Sequence, residues 1–219
     1  MSVFAPMRRV FAGEMNACRV QGTSETRPQV LLPGAFNPLH RGHRNMATRA
    51  TELTGNPVCF EISIENVDKA PLSEQEVRCR LGQFTEKESV WLSRAATFVR
   101  KSELFPGARF AIGIDTLQRI ASPHYYEDSQ SGNSSQARMQ RAIEQIAANG
   151  CQFLVFGRLI GKNFQGVKDL TLGDCLMSLC HEIPESLFRE DISSAQLRDP
   201  LVGHSGLRRI CNSTRQGAP

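Results

Sequence analysis

The sequence predicts an α/β fold in which a parallel sheet is covered by helices. Two observations carry that reading. Short apolar runs alternate with segments of helical period along the middle of the chain, at the spacing of strand–helix–strand units. A Gly- and His-rich loop then joins the end of the first run directly to a helix start, the place where open parallel sheets bind ligands. Composition agrees: 219 residues with 40% hydrophobic and 22% charged side chains describe an ordinary soluble globular chain. A chain of this size buries roughly 70% of its extended surface, so it needs no disulfides for a core.

The elements follow in order. Residues 29–32 form an apolar run that ends in Pro33-Gly34. Residues 44–54 place Met46, Ala47, Ala50 and Leu53 on one helical face, with Gly55 as the stop. Residues 58–64 alternate Phe60, Ile62 and Ile64 with Glu61, Ser63 and Glu65, a strand period. Ser73 and Glu76 make a capping box, and Val77, Leu81 and Phe84 continue that helix. A strand is expected over 90–92, a helix over 95–104 and a buried strand over 108–114. After a polar Ser/Gly/Asn loop, residues 137–148 read as a helix stopped by Asn149-Gly150, and Gln152–Phe156 as another buried strand. Residues 162–180 give no clear period. A last strand is expected near 181–183 and a short helix over 194–198.

This divides the chain into a flexible extension (1–28), one domain (29–200) and a tail (201–219). The extension carries four arginines, but Glu14 and Glu25 argue against a transit peptide, which is poor in acids. Seven irregularly spaced cysteines without a Cys-x-x-Cys read as reduced thiols in a cytoplasmic protein. Cys175, Cys180 and His181 lack a fourth ligand nearby, so no metal site is expected. The net charge of +4 is small and scattered, which argues against a nucleic-acid partner, and no apolar run approaches a membrane span. The sequence does not give the oligomeric state.

The chemistry is concentrated in residues 34–43, Gly-Ala-Phe-Asn-Pro-Leu-His-Arg-Gly-His. Gly34 lets a backbone approach a ligand closely, and Gly42 lets the chain turn into the helix that carries His43. Amide groups at a helix start favour phosphate. Two imidazoles three residues apart, His40 and His43, then face that phosphate, donating hydrogen bonds and, if protonated, positive charge. A zinc pair is disfavoured, because the spacing is not the i, i+4 of zinc proteases and no third ligand is evident.

This segment resembles the (H/T)-x-G-H signature of the nucleotidylyltransferase superfamily, and Asn37-Pro38 resembles its nicotinamide/nicotinate mononucleotide adenylyltransferase branch. Asp191-Ile-Ser-Ser-Ala-Gln-Leu-Arg198 is similar to the superfamily's later I-S-S-T-x-(I/L)-R motif, with Ala195 in place of Thr. Over roughly Val30–Asp199 the resemblance implies a Rossmann-like, three-layer α/β/α domain of nucleotidylyltransferase (HUP) type. It implies that His40, His43 and Arg198 are catalytic. Gly34, Ala35, Phe36, Gly42, Lys69, Gly113, Asp115, Arg158, Ser193 and Ser194 would bind nucleotide, with Arg80 near the phosphates. The family stacks its pyridine on an aromatic ring, often Trp. Trp91 lies upstream of the Gly113-Ile114-Asp115 element, so Tyr125 and Tyr126 would take that place, with Asn37 also at the acceptor.

The activity so implied is transfer of AMP from ATP, with Mg²⁺, to a phosphorylated small-molecule acceptor, nicotinamide or nicotinate mononucleotide. A cytidylyltransferase acting on a phosphorylated alcohol or sugar is the first alternative. An ATP-binding or ATP-hydrolysing regulator that has lost the transfer reaction is the second, motivated by Ala195 and the missing Trp.

Overall fold

The computed structural model describes residues 4–22, 27–67, 69–127, 134–161 and 163–190. Its centre is a seven-stranded sheet: β1 (Ala17–Gln21), β2 (Val30–Pro33), β3 (Val58–Ser63), β4 (Val90–Ser93), β5 (Arg109–Gly113), β6 (Gln152–Phe156) and, after the hairpin below, β9 (Cys180–Ile183). The spatial order is β1-β4-β3-β2-β5-β6-β9. All neighbours are parallel except β1, which runs antiparallel along β4. The six parallel strands follow the doubly wound Rossmann order, so the expected α/β fold is present. The order reverses between β2 and β5, which pair at Val30↔Arg109 and Leu31↔Phe110.

The strand period sorts residues to the two faces. On one side Leu32, Phe60, Ile62, Leu154 and Phe156 pack with Met7, Val10, Phe36 and Ala50, under α1 (Phe4–Phe11), α2 (Arg41–Thr54) and α3 (Glu74–Leu81). On the other, Leu31, Phe110, Ile112, Phe153 and Val155 pack beneath α4 (Phe98–Leu104), α5 (Ile114–Ile120), α6 (Ser135–Ala148) and α7 (Asp174–Leu179). Successive strand residues therefore bury on opposite faces, as a fully covered parallel sheet requires.

Three expectations are corrected. Residues 4–22 are not a flexible extension: α1 buries Met7 and Val10, and β1 buries Cys18 and Val20, so this segment completes the sheet edge and its cover. The region without a clear period opens with β8 (Asn163–Gln165), which pairs antiparallel with β7 (Arg158–Ile160) just before it, and α7 follows. Strands of three residues are too short to show a period. Helix α2 starts at Arg41, three residues before the expected start at residue 44, because its first turn holds the site instead of the core. Its end is as expected: Gly55 takes a left-handed φ of 68° and its N–H closes on the Thr51 carbonyl at 2.9 Å.

Candidate active site

Strand β2 ends at Pro33, and the Gly34 N–H donates to the Glu61 carbonyl of β3 at 2.9 Å. The chain then turns back through Phe36, which adopts a positive φ of 44°. The Phe36 ring is 1% exposed and meets Phe60, Phe84 and His43 edge to face at 5.1–5.5 Å. A Cβ on Gly34 would lie 2.7 Å from that ring. Gly34 does line the cleft described below, but what its missing side chain admits is Phe36, rather than the ligand expected from sequence. Phe36 likewise supports His43 from the core and presents no ring to a ligand.

The end of α3 holds this loop by its carbonyls and amides. The Gln83 side chain accepts from the Leu39 N–H and donates to the Phe36 carbonyl, both at 2.9 Å. Arg80 donates to the Ala35 carbonyl at 3.0 Å, so Arg80 and Ala35 brace the loop from outside. Gln83 carried no motif and was missed in the sequence.

His40 caps α2, and His43 lies in its first turn. The Nδ1 of His43 accepts the His40 backbone N–H at 3.3 Å, and the two rings stack with centroids 3.8 Å apart. An accepting Nδ1 puts the proton of a neutral imidazole on Nε2. Burial, then the neighbouring His40 and Arg44, push the His43 pKa down to about 3. Burial also lowers that of His40, against the opposing pull of Glu190. Burial thus favours the neutral form of both rings, so the positive charge expected on protonation is disfavoured.

These groups open onto a cleft of about 270 Å³ at the point where the strand order reverses. One wall is Gly34, His40, Gly42 and His43. Gly113, Asp115 and Thr116 after β5 and Gly157 and Arg158 after β6 form the other. Gly42 brings the positive end of the 14-residue α2 dipole to the cleft. Gly113 faces open space, where a side chain would meet nothing within 4 Å. The Asp115 carboxylate and the Arg158 guanidinium form an ion pair across that wall. Gly157 admits the Phe164 ring of β8, which a Cβ would meet at 2.4 Å, and this fixes the hairpin that Arg158 begins.

The remaining expectations are placed elsewhere. Lys69 is exposed and does not line the cleft. Neither does Asn37. Tyr126 packs against the core, donates to the Ile120 carbonyl at 3.1 Å, and burial pushes its phenol up to about 12. Tyr125 meets His124 edge to face at 5.6 Å, and neither tyrosine reaches the cleft. Ser193, Ser194, Ala195 and Arg198 lie outside the described residues. Two cleft residues had no sequence signal: Phe188, which packs edge to face on Phe156 at 4.8 Å, and Glu190, which bonds to Asn45 and Arg41 of α2.

The cleft thus gathers two imidazoles and the amide end of a helix at the strand reversal of a doubly wound sheet, groups of the kind that donate to phosphate. The cytidylyltransferase-like family model matches residues 31–199, most of the chain. The chain belongs to the cytidylyltransferase-like family. It is a nucleotidyltransferase of the nucleotidylyltransferase superfamily, and the match opens inside β2, immediately before the histidine loop. Helix α1 and strand β1 fall outside it. No curated protein matches the chain. Among the described residues, no helix is long and apolar enough to cross a membrane.

Proposed function

We propose that this cytidylyltransferase-like protein transfers AMP from ATP to a pyridine mononucleotide, releasing pyrophosphate. The observation that carries the proposal is the paired, neutral His40 and His43 at the start of α2, entered through Asn37-Pro38. In the reaction, an oxygen of the acceptor phosphate attacks the α-phosphorus of ATP in line. The new P–O bond forms as the bond from the α-phosphorus to the bridging oxygen breaks, and that oxygen's electron pair leaves with pyrophosphate. No protein nucleophile is needed. Burial also holds the Cys18 and Cys180 thiols up at about 11, in their unreactive protonated form.

Catalysis then rests on positioning and on donors aimed at developing charge. The Nε2–H of His43 donates to a phosphate oxygen in a half-buried setting, where such a bond is stronger than in water. His40 stacks on it and keeps the ring in place. Ser193, Ser194 and Arg198 would hold the leaving pyrophosphate, and Arg158 and Asp115 the nucleotide or acceptor. Among the described residues no three His, Cys, Asp or Glu groups gather to hold a metal. A Mg²⁺ carried in by the triphosphate would meet Asp115 and Glu190, the carboxylates on the cleft wall. Bound there, it would offset charge on the phosphate oxygens.

A second reading, cytidylyl transfer to a phosphorylated alcohol or sugar, is favoured by the tyrosines. With Tyr125 and Tyr126 away from the cleft, they supply no face for a pyridine ring. The test is incubation with ATP or CTP, Mg²⁺ and a panel of pyridine mononucleotides and phosphorylated alcohols and sugars, with products identified by mass. A dinucleotide from ATP is expected. A CTP-dependent product moves the assignment to the second reading. Nucleotide binding without pyrophosphate release from any pair overturns both.

A further inference from the structure

Among the described residues, three charged side chains line the cleft: Asp115, Arg158 and Glu190. Asp115 and Arg158 neutralise each other as an ion pair. Glu190 is the one of the three whose ion-pair partner, Arg41, does not itself line the cleft. Its side chain is only 16% exposed, while its partner Arg41, with Nε 3.4 Å from Oε2, is 72% exposed and shares its charge with water. The other oxygen accepts from Asn45. Phe188, buried against Phe156, anchors the same segment to the sheet, so the carboxylate is held at the cleft beside His40.

A cleft that takes a multiply anionic ligand thus carries a fixed negative charge on its wall. At close range and partial burial, such a charge repels a bare triphosphate and attracts one that arrives with a divalent cation. We propose that Glu190 makes the cleft select the magnesium-complexed nucleotide over the free nucleotide anion. This rests on the reading that the cleft binds a nucleoside triphosphate. Glu190 acts here as a specificity-determining residue.

The test is calorimetric binding to the full chain, with ATP and with CTP, each in excess Mg²⁺ and in EDTA. The wild-type protein is expected to bind the magnesium form more tightly. Glu190→Gln keeps an oxygen for Asn45 and removes the charge. It should tighten binding of the free nucleotide about three- to tenfold, change the magnesium form less, and lose that gain at high salt. Arg41→Gln, which strips Glu190 of its counter-charge, should move the ratio the opposite way. Glu52→Gln, in the last turn of α2, should leave it unchanged. An unchanged ratio in Glu190→Gln, equal weakening of both forms, or a wild-type protein that binds both forms equally overturns this inference alone. A wild-type protein that binds neither nucleotide in either form overturns the nucleotide reading and this inference together.

Discussion

The Nδ1 of His43 accepts the backbone N–H of His40 at 3.3 Å, so a single hydrogen bond fixes the tautomer of one histidine by the position of the other. The Nε2–H of His43 is left as the donor for a phosphate oxygen. His43→Ala should keep the fold and depress turnover by about two to three orders of magnitude, the scale of losing one preorganised donor. Pyrophosphate release, read beside a melting curve, checks this; near-normal turnover in a folded variant sinks the role given to His43.

Acid stability carries the mark of the same ring. The folded pKa of His43 is depressed from 6.5 to about 3 by burial, so between these values the unfolded chain binds the proton and the folded chain does not. Stability therefore rises with pH across that window and falls as the solution is acidified from about 6.5 toward 3. His43→Gln, which has no such proton, should show a shallower loss of unfolding free energy between pH 7 and pH 4. Parallel urea titrations at several pH values would reveal equal slopes if the ring is not buried as described.

Gly34 and Phe36 form a second coupled pair. A methyl group placed 2.7 Å from the Phe36 ring forces that ring to move, and His43 packs on the ring's edge at 5.1 Å. Gly34→Ala should destabilise the protein by roughly 1–3 kcal/mol, as overpacking does, and lower turnover through His43. Phe36→Leu in the same chain makes room for the methyl and should restore part of both. A double variant no better than Gly34→Ala alone would refute the coupling.

Behind the loop, Lys101 reaches both carboxylate oxygens of Glu61 at 2.8 and 2.7 Å, with side chains 7% and 1% exposed. Ser93 completes the carboxylate's bonding. Removing one partner strands a buried charge, so Lys101→Met should be destabilising by about 3–5 kcal/mol, whereas Lys101→Met with Glu61→Leu should recover most of that loss. Because the Glu61 carbonyl receives the Gly34 N–H, the single variant should also loosen the histidine loop. Chemical denaturation of the single and double variants measures both claims.

The N-terminal segment offers a simpler test. Deleting residues 1–22 removes Met7, Val10, Cys18 and Val20 from the core and uncovers the edge of β4. A loss of several kcal/mol, about 1.5–3 for each large buried side chain, is expected. An exposed edge should also promote self-association, visible by light scattering. A truncated chain that melts like the full one and stays monodisperse would mean that the segment is dispensable.

The alternation of apolar runs and helical segments, the capping box at Ser73 and the stop at Gly55 were legible in the sequence because each is a local interaction. So was the histidine loop, since a strand end, a glycine turn and a helix start lie within a dozen residues. The packing of α1 and β1 was not legible. Met7 and Val10 make one helical pair and Cys18 and Val20 one strand pair, too few to mark an element until β4 supplies the surface that β1 runs along.

By itself, then, the sequence determined the alternation of strands and covering helices and the loop that carries His40 and His43, because backbone propensity and period act between near neighbours. Only the tertiary structure decided which charges meet. It left Lys69 exposed and away from the cleft, joined Asp115 to Arg158 across 43 positions, and turned Glu190 onto α2 beside the histidines. It also buried those histidines, which pushes their pKa values down. Burial and charge pairing depend on distances between residues remote in the chain, and no local pattern encodes them.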